Sequence, residues 1–475
     1  MRLTDLSKYL ILLCFVVCSS QEMTAFGNPL GSATPKAPVH VFYIDPVKGS
    51  MNGDGSIARP WSTLEAVVAA NLINGQDKAS GAVHAGDLIY LYNGNHGSVD
   101  LSTYSGKFVN TDFITIQAAP SNTPVLNKLT LESCSHWAIR GLTFLNPTTI
   151  PQNYILVRFN QCDNILFDSN TIYSQSDVSK WTPTNWQTSS AYYGLYFTGV
   201  SSTLTNNTIK NIQNGVYIGG DGVILKSNTI DYFSNDGIEF SAGNSVIQSN
   251  RVTNHYGHYD TGLHADLIQG WTVGGLVTSN VVIDSNIVIA STGTYPQIPP
   301  VPTCVGVDMI QGISIFDGVW NNVTVTNNVV AAAAYHGMGF YGVSNSVIAN
   351  NTVIRQGADQ NYVAWIGVFE SAGQTVTNTV VRNNIANNFQ ISVAGTVNDH
   401  NISLSNNNVW NNVSSNTIVL DPTKVFVTYQ PSTATFNLNL SKTSPAVGTG
   451  TSRSAPKLNI LGGTRNTLKE NIGAY

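Results

Sequence analysis

Short runs of alternating apolar and polar residues recur along the chain from residue 160 onward. The run first reads "ILFDSNTI" and returns as "TLTNNTI", "VILKSNTI", "SVIQSNRV", "VVIDSNIV", "VTVTNNVV", "SVIANNTV", "VVRNNIA" and "SLSNNNV". The asparagine two places before the closing apolar residue of each run is Asn170, Asn207, Asn228, Asn250, Asn286, Asn328, Asn351, Asn384 or Asn407. The shortest spacings are 21, 22 and 23 residues, and the longer gaps contain insertions. A period in the twenties predicts a solenoid of stacked coils.

A second short apolar segment follows each of these runs. The segments read "YGLYF", "NGVYI", "DGIEF", "DLIQG", "QGISI", "HGMGF" and "IGVFE". Strands this short and rich in Val and Ile, separated by Asn and Gly turns, are typical of a parallel β-helix, in which each coil hydrogen-bonds to its neighbours. The recurring asparagines are predicted to stack at one turn as a structural ladder of side-chain amides.

The extra residues of the long gaps lie between the asparagine and the glycine segment. The insertions are Tyr173 to Tyr193, Thr253 to Ala265, Ala290 to Ile310 and Arg355 to Trp365. Insertions that collect on one edge of a solenoid usually form the walls of a binding groove. They carry aromatic residues such as Tyr256, whose rings suit sugar surfaces or pack the loops down.

Stacking the glycine segments in register gives two columns of side chains. The first column, just before the glycine, is predicted to hold Tyr193, Asn214, Asp236, Asp266, Gln311, His336 and Ile366. The second column, three residues later, is predicted to hold Tyr196, Tyr217, Glu239, Gln269, Ser314, Gly339 and Phe369. Because adjacent coils are about 4.8 Å apart, Asp236 and Asp266 are expected to be neighbours, with Glu239 beside them.

Two carboxylates this close favour one of two arrangements. Either one takes a raised pKa and acts as an acid, as glycoside hydrolysis needs, or a cation holds both ionised. Ca²⁺ bound by Asp236, Glu239 and Asp266 would suit a lyase, which removes the proton next to a neutralised uronate carboxylate. The predicted catalytic residues are Asp236, Asp266, His264 and His336. The predicted substrate-binding residues are Glu239, Gln269, Gln311, Tyr193, Tyr256 and Trp271.

Both ends of the chain resemble the secreted pectate-lyase-like β-helix proteins. The opening, "VFYIDPVKGSMNGDGSIARPWSTLEAVVAANLI", predicts a strand, a turn and a capping helix through Leu72, and the close, "LSKTSPAVGTG" with "LGGTRNTLKENIGAY", is similar to the C-terminal signature of that superfamily. "NDGIEF" also resembles coil phrases of polygalacturonases and calcium-dependent pectate lyases. The resemblance implies one all-β domain over residues 41–475, a single-stranded right-handed parallel β-helix with an N-terminal capping helix. It does not fix the reaction, because the superfamily includes lyases, hydrolases, epimerases and binding proteins.

Composition and the N-terminus bear on location and partners. Charged residues make up 10% of the 475, and a net charge of -5 without a basic stripe argues against nucleic-acid binding. Arg2 and Lys8 precede the apolar run "YLILLCFVVC", which predicts a signal peptide over residues 1–20, too short to span a bilayer. Lipid anchoring at Cys18 is not expected, because Val17 stands where such signals carry a small residue. The sequence leaves open whether Cys134 and Cys162 pair.

Taken together, the sequence predicts a secreted or periplasmic monomer that acts on a polysaccharide. Cleavage of a uronate-containing glycan by β-elimination is the preferred reaction, with Ca²⁺ as the one cofactor considered. Hydrolysis by paired aspartates is the first alternative. The second is a non-catalytic glycan-binding β-helix, in which the central acids would only cap turns.

Overall fold

A computed structural model gives the fold of the chain. It describes residues 34–73, 81–101, 109–145, 151, 153–256, 265–272, 276–293, 310–356, 363–371, 374–404, 418–430 and 435–475. Most strands in these ranges pair in parallel with the strand one coil before and the strand one coil after, which builds three long sheets. The chain visits the first, second and third sheet in turn on each coil, so the solenoid predicted by the repeat is confirmed.

The strands are as follows. The first sheet contains Val41–Ile44, Leu88–Leu91, Val109–Ala118, Ser135–Arg140, Asp163–Asp168, Thr203–Thr205, Ile224–Lys226, Val246–Gln248, Val277–Asp284, Val319–Thr326, Val343–Ser344, Val347–Ala349, Val380–Arg382 and Val397–Asp399. The second contains Val125–Leu126, Thr143–Leu145, Thr171–Tyr173, Thr208–Ile212, Thr229–Phe233, Arg251–His255, Ile287–Ile289, Val329–Ala332, Thr352–Arg355, Ile385–Ala386, Ile402–Ser403 and Ile418–Val419. The third contains Ser98–Asp100, Lys128–Glu132, Ile155–Asn160, Tyr193–Phe197, Asn214–Ile218, Ile238–Phe240, Asp266–Gly270, Gln311–Ile315, His336–Tyr341, Trp365–Phe369 and Asn388–Ile391.

The predicted asparagine ladder runs along the turn between the first and second sheets. Each side-chain amide donates to the Oδ1 atom of the asparagine on the next coil, for example from Asn228 to Asn250 at 3.1 Å and from Asn250 to Asn286 at 3.1 Å. The backbone N–H of Asn228 also donates to Asn250 Oδ1, at 3.0 Å. The ladder extends from Asn170 to Asn401, whereas the predicted last member, Asn407, lies outside the described residues.

Apolar side chains fill the inside of the solenoid as one continuous core. This core extends from Ile44 near the start of the first sheet to Val393 near its end. Aromatic rings stack through it, as Phe159 does against Phe197 with centroids 6.0 Å apart. The core gives the three sheets a fixed spacing, so the outer side chains of successive coils line up in register.

Glycines at the start of the third sheet decide which side chains point outward. A Cβ atom on Gly237 would lie 2.4 Å from Cγ1 of Val252, inside the core. The same position on the previous coil, Gly215, would collide with Gly237 and Ile230. Because this corner position faces inward and has no room for a side chain, the residue before it, such as Asp236, lies on the outer side.

The remaining elements lie outside the three sheets, near both ends of the chain and, for one helix, between the strands Thr171–Tyr173 and Tyr193–Phe197. Thr63 caps a helix at Leu64–Ala69, whose Leu64 and Val67 are buried; this helix is shorter than predicted, and its capping role stays a prediction. Two further short helices occupy Pro183–Thr188 and Pro422–Val425, and an antiparallel hairpin pairs Phe426–Gln430 with Thr435–Leu440. No helix in the described ranges is long and apolar enough to cross a membrane.

Two cysteines lie next to each other on neighbouring coils. Cys134 and Cys162 are both buried free thiols, and the Sγ atom of Cys134 donates to that of Cys162 at 2.7 Å. Burial is the main cause that raises the pKa of Cys134 far above its ordinary value. The predicted signal peptide and Cys18 lie outside the described residues, so export stays a prediction.

Candidate functional site

Three acidic side chains meet on the outer face of the third sheet. Oδ1 of Asp236 accepts the backbone N–H of Asp266 from the next coil at 2.7 Å. The carboxyl groups of Asp236 and Glu239 lie close enough to interact directly. All three residues are buried, and Asp266 is fully inaccessible to solvent. We call Asp236, Glu239 and Asp266 the acid cluster.

Two aromatic residues donate hydrogen bonds to Glu239. The hydroxyl of Tyr193 lies 2.9 Å from Oε1 and 3.0 Å from Oε2 of Glu239. Trp271 also donates to this carboxylate with its side chain. Hydrogen bonds that favour the charged form of a carboxyl oppose the effect of its burial. Glu239 is therefore the member of the cluster best suited to carry the negative charge.

Burial and mutual repulsion shift the pKa values of the cluster upward. Desolvation is the main cause that raises the pKa of Asp236 well above its ordinary value, followed by the charges of Glu239 and Asp266. Desolvation also raises the pKa of Glu239, to about 6, while the bonds from Tyr193 and Trp271 lower it. Burial and repulsion therefore favour a protonated Asp236, whereas Glu239, with a pKa of about 6, is ionised above that pH.

Asn214, one coil before the cluster, fixes the backbone of Asp236. Its Oδ1 atom accepts the N–H of Asp236 at 3.2 Å and the side-chain amide of Asn235 at 2.7 Å. Its own amide donates to the carbonyl of Tyr192 at 2.8 Å. The first column thus holds acids, Asp236 and Asp266, on the next two coils, whereas on this coil it holds Asn214, whose side-chain amide stabilises the backbone.

A row of aromatic rings continues from the acid cluster toward the N-terminal coils. The rings of Tyr217 and Trp271 stack with centroids 5.9 Å apart, and those of Tyr196 and Tyr217 with centroids 4.8 Å apart. Arg158 lies over the ring of Tyr196 at 5.9 Å. We call Tyr196, Tyr217 and Trp271 the aromatic row. Flat apolar faces next to hydrogen-bonding groups are suited to binding sugars.

His336 lies in a separate polar and aromatic group on later coils. Its Nδ1 atom is hydrogen-bonded to Oε1 of Gln311, and its Nε2 atom lies 3.1 Å from the hydroxyl of Tyr341. The ring packs edge-on against Trp365 at 4.6 Å. Gln311 lies on the coil between those of His336 and Asp266, and it is in register with Asp266. Because His336 is two coils, about 10 Å, from Asp266, the histidine does not join the acid cluster.

The two predicted columns are confirmed up to His336 and are wrong on the last coil. His336 pairs with Trp365 rather than with Ile366, because the register shifts between His336 and Met338. The same shift places Gly367 beside Gly339, where Phe369 was predicted. Gln269 is in register with Glu239, as predicted.

The remaining predicted site residues lie elsewhere. Tyr256 is buried and stacks on Trp186 at 4.9 Å, in a small cluster that also contains Val178. The structure therefore places Tyr256 in the packing of the loops and not beside the acids. His264 lies outside the described residues, as do most of the insertions at 253–265, 290–310 and 355–365.

The oxygen atoms of the acid cluster do not fit a resident Ca²⁺ ion. Both Glu239 oxygens accept from Tyr193, and Oδ1 of Asp236 accepts a backbone N–H. In the described part of the chain, no three His, Cys, Asp or Glu residues are arranged to hold a metal. The calcium hypothesis stays a prediction without support from this geometry.

Comparison with known proteins agrees with the three-sheet architecture. A family model described as the right handed beta helix region matches residues 127–353. The protein is a right-handed parallel β-helix. A complex of XylC with xylose is similar to this β-helix at 8% identity, with a TM-score of 0.50 and 92% and 98% of the two chains covered.

Two further structures resemble the β-helix more loosely. The pectate lyase Pel9A is 15% identical, with a TM-score of 0.48 and 94% and 98% of the chains covered. A lacto-N-biosidase of family GH136 from Eubacterium ramulus is 11% identical, with a TM-score of 0.45 and 80% and 68% covered. No curated protein matches the chain. The right-handed parallel β-helix that the resemblance implied is thus confirmed as the fold, and the reaction has to be argued from the site.

Proposed function

We propose that this β-helix is a glycoside hydrolase that cleaves a polysaccharide at the acid cluster. The observation that carries the proposal is a pair of buried carboxyl groups, Asp236 and Glu239, close enough on one face of the third sheet to interact and beside a third acid, Asp266. Two such groups cannot both ionise cheaply, which favours one protonated and one charged carboxyl. Glycosidic hydrolysis uses one acid and one base on either side of the scissile bond, so a sugar would have to bind between the two carboxyls.

The surroundings of the two carboxyls assign their roles. Asp236, whose pKa is raised well above its ordinary value by burial and by two neighbouring charges, would donate its proton to the leaving oxygen of the glycosidic bond. Glu239, with a pKa of about 6 and two donors directed at it, would act as the ionised partner that assists water. Asp266 repels a second charge on Asp236 and so favours its protonated form.

Hydrolysis suits the site better than the β-elimination that the sequence favours. Elimination needs the uronate carboxylate next to the removed proton to be neutralised, by a cation such as Ca²⁺ or Arg or by the amides of Asn or Gln. Within the two described columns, the nearest Arg or Lys to Glu239 is Arg158, three coils away. Three acids without an adjacent cation would repel a carboxylate at the reacting sugar.

A polymeric substrate follows from the shape of the surface. The aromatic row and the acid cluster occupy successive coils along one face of the third sheet, so a chain of sugars could lie along the solenoid axis. Together with the predicted signal peptide, this favours a role outside the cytoplasm on a glycan.

The test is a screen of neutral and uronate polysaccharides with two readouts, new reducing ends and the ultraviolet absorbance of an unsaturated uronate product. Hydrolysis predicts reducing ends without the absorbance, for the wild type and for the control Asp168→Asn. Asp236→Asn should be inactive. Products with the absorbance would establish elimination instead, and retention of a glycan without any cleavage would show a binding protein.

A further inference from the structure

Arg158 is a cation on the groove face that makes no ion pair with a carboxylate in the described part of the chain. It lies in the strand Ile155–Asn160, in register with Tyr196 on the next coil. Its guanidinium lies 5.9 Å from the centre of the Tyr196 ring. Its Nε atom is buried and has no hydrogen-bond acceptor in the described part of the chain. A buried donor without a partner is unfavourable, and a bound acceptor would satisfy it.

Other arginines of the β-helix with a comparable setting are paired with carboxylates. Arg140 bonds to Asp168 at 3.3 Å, and Arg465 bonds to Glu470 at 2.8 Å. Arg382 contacts both oxygens of Asp399. These arginines serve the fold, whereas Arg158 presents a guanidinium held over an aromatic ring toward the groove.

Arg158 and Glu239 of the acid cluster belong to the same column of the third sheet. The register runs from Arg158 through Tyr196 and Tyr217 to Glu239, one residue on each coil. Three coil steps amount to about 14 Å. The distance is spanned by the rings of Tyr196 and Tyr217, which stack on each other. The positive end of this column is therefore separated from its acidic end by a surface suited to sugar rings.

We propose that Arg158 binds an anionic group of the glycan, a carboxylate or a sulfate, on a sugar seated on Tyr196 and Tyr217. The planar guanidinium can make two parallel bonds to such a group. The inference rests on the proposed function and names its substrate class, an acidic glycan whose recognised charge lies several sugars from the bond that is cleaved. This arrangement keeps the negative group away from Asp236, Glu239 and Asp266.

Binding to three probes by the full chain tests the proposal at low salt. The probes are polygalacturonate, its fully methyl-esterified form and dextran sulfate, with affinity measured by calorimetry. Arg158→Gln should weaken binding of the preferred charged probe about tenfold or more and leave the neutral probe unchanged. Arg158→Lys, which keeps the charge and loses the planar fork, should fall between the two. Arg251→Gln removes an exposed charge on the second sheet and is the matched control.

The probes also identify the source of the negative charge. Preference for polygalacturonate indicates a carboxylate, and preference for dextran sulfate indicates a sulfate ester. Equal affinity of wild type and Arg158→Gln for both charged probes would overturn the proposal, as would an equal loss in Arg251→Gln. Binding is also measured in Glu239→Gln, which lacks the carboxylate proposed to assist cleavage. Because this variant reports binding alone, the result for Arg158 can be interpreted even if the proposed hydrolysis is wrong.

Discussion

Two sets of buried polar side chains are stacked coil upon coil, and they differ in how they are satisfied. In the asparagine ladder, Asn250 donates to Asn286 at 3.1 Å and to the carbonyl of Leu225 at 2.9 Å, while its oxygen accepts from Asn228. In the acid cluster, carboxyl groups that repel one another are buried side by side, which raises the pKa of Asp236 and Glu239. The side chains of the ladder are uncharged, and each donor meets an acceptor. The side chains of the acid cluster are ionisable and repel one another.

The difference shows which polar residues of a solenoid serve stability. A side chain that recurs on every coil can bond to its own copies, so the repeat itself satisfies it. The acids occur on two coils of their column, between Asn214 and Gln311, and interrupt any repeat. Buried acids with perturbed pKa values are typical of functional sites.

The largest expected effect is on cleavage. Glu239→Gln and Asp236→Asn should each lower kcat/KM by about 10²- to 10⁴-fold, because each removes one partner of the proton transfer. The unfolding midpoint at pH 6 should fall little in either variant. Asp168→Asn, which removes a partly exposed carboxylate from the first sheet, should retain activity. Full activity in Glu239→Gln would place the chemistry elsewhere.

A large effect on stability is expected when the ladder is broken. Asn250→Ala removes the acceptor of the buried Asn228 backbone N–H and the amide that donates to the Leu225 carbonyl, which should lower the free energy of unfolding by about 2–4 kcal/mol. Gln248→Ala, two residues earlier on the outer face, should cost less than about 0.5 kcal/mol. Denaturant unfolding checks both. Equal losses in the two variants would contradict the structural role of the ladder.

The acid cluster should make stability depend on pH in the opposite sense to a surface ion pair. The folded-state pKa of Glu239 is raised from 4.5 to about 6, so protonation favours the folded state. Its stabilising contribution is complete below pH 4.5 and is lost as the pH rises through about 6, an effect of about 2 kcal/mol. Glu239→Gln should therefore gain stability relative to wild type as the pH rises from 4.5 to 7. Thermal unfolding across this range checks the sign, and a constant difference would contradict it.

The smallest effect is expected from Tyr193→Phe. The Tyr193 hydroxyl lowers the pKa of Glu239 by donating to both oxygens. Its removal should raise this pKa and move the acidic limb of the pH–rate profile upward, with less than about a tenfold loss at the optimum. An unchanged acidic limb would mean that Glu239 is not the group that titrates there.

The sequence was sufficient for most of the fold because the fold is periodic. The asparagine and glycine positions fix the register of neighbouring coils, and this placed Asp236, Glu239 and Asp266 together correctly. The alignment failed at Trp365 because Gly367 was matched to Gly337, whereas the register shift after His336 pairs Gly367 with Gly339. A bulge of one residue leaves no mark in the apolar pattern.

Contacts within the site were harder to foresee. The bonds from Tyr193 and Trp271 to Glu239 depend on side-chain reach, which register alone does not give. Arg158 was missed because the columns were begun at Tyr193, although "ILVRFN" precedes "YGLYF" by one coil and could have been aligned with it. Tyr256 was assigned to the groove from its loop, but the loop folds its ring onto Trp186.

The account depends on Asp236 and Glu239 sharing one proton, and carbon NMR of the carboxyl groups measures this directly. Protein labelled at the side-chain carboxyls of Asp and Glu would be titrated beside Glu239→Gln to assign the Glu239 resonance. We predict a resonance that titrates near pH 6 and disappears in the variant, while that of Asp236 stays protonated to higher pH. If both carboxyls titrated near their ordinary values, the acid cluster would hold no shared proton, and the proposed acid–base pair would be contradicted.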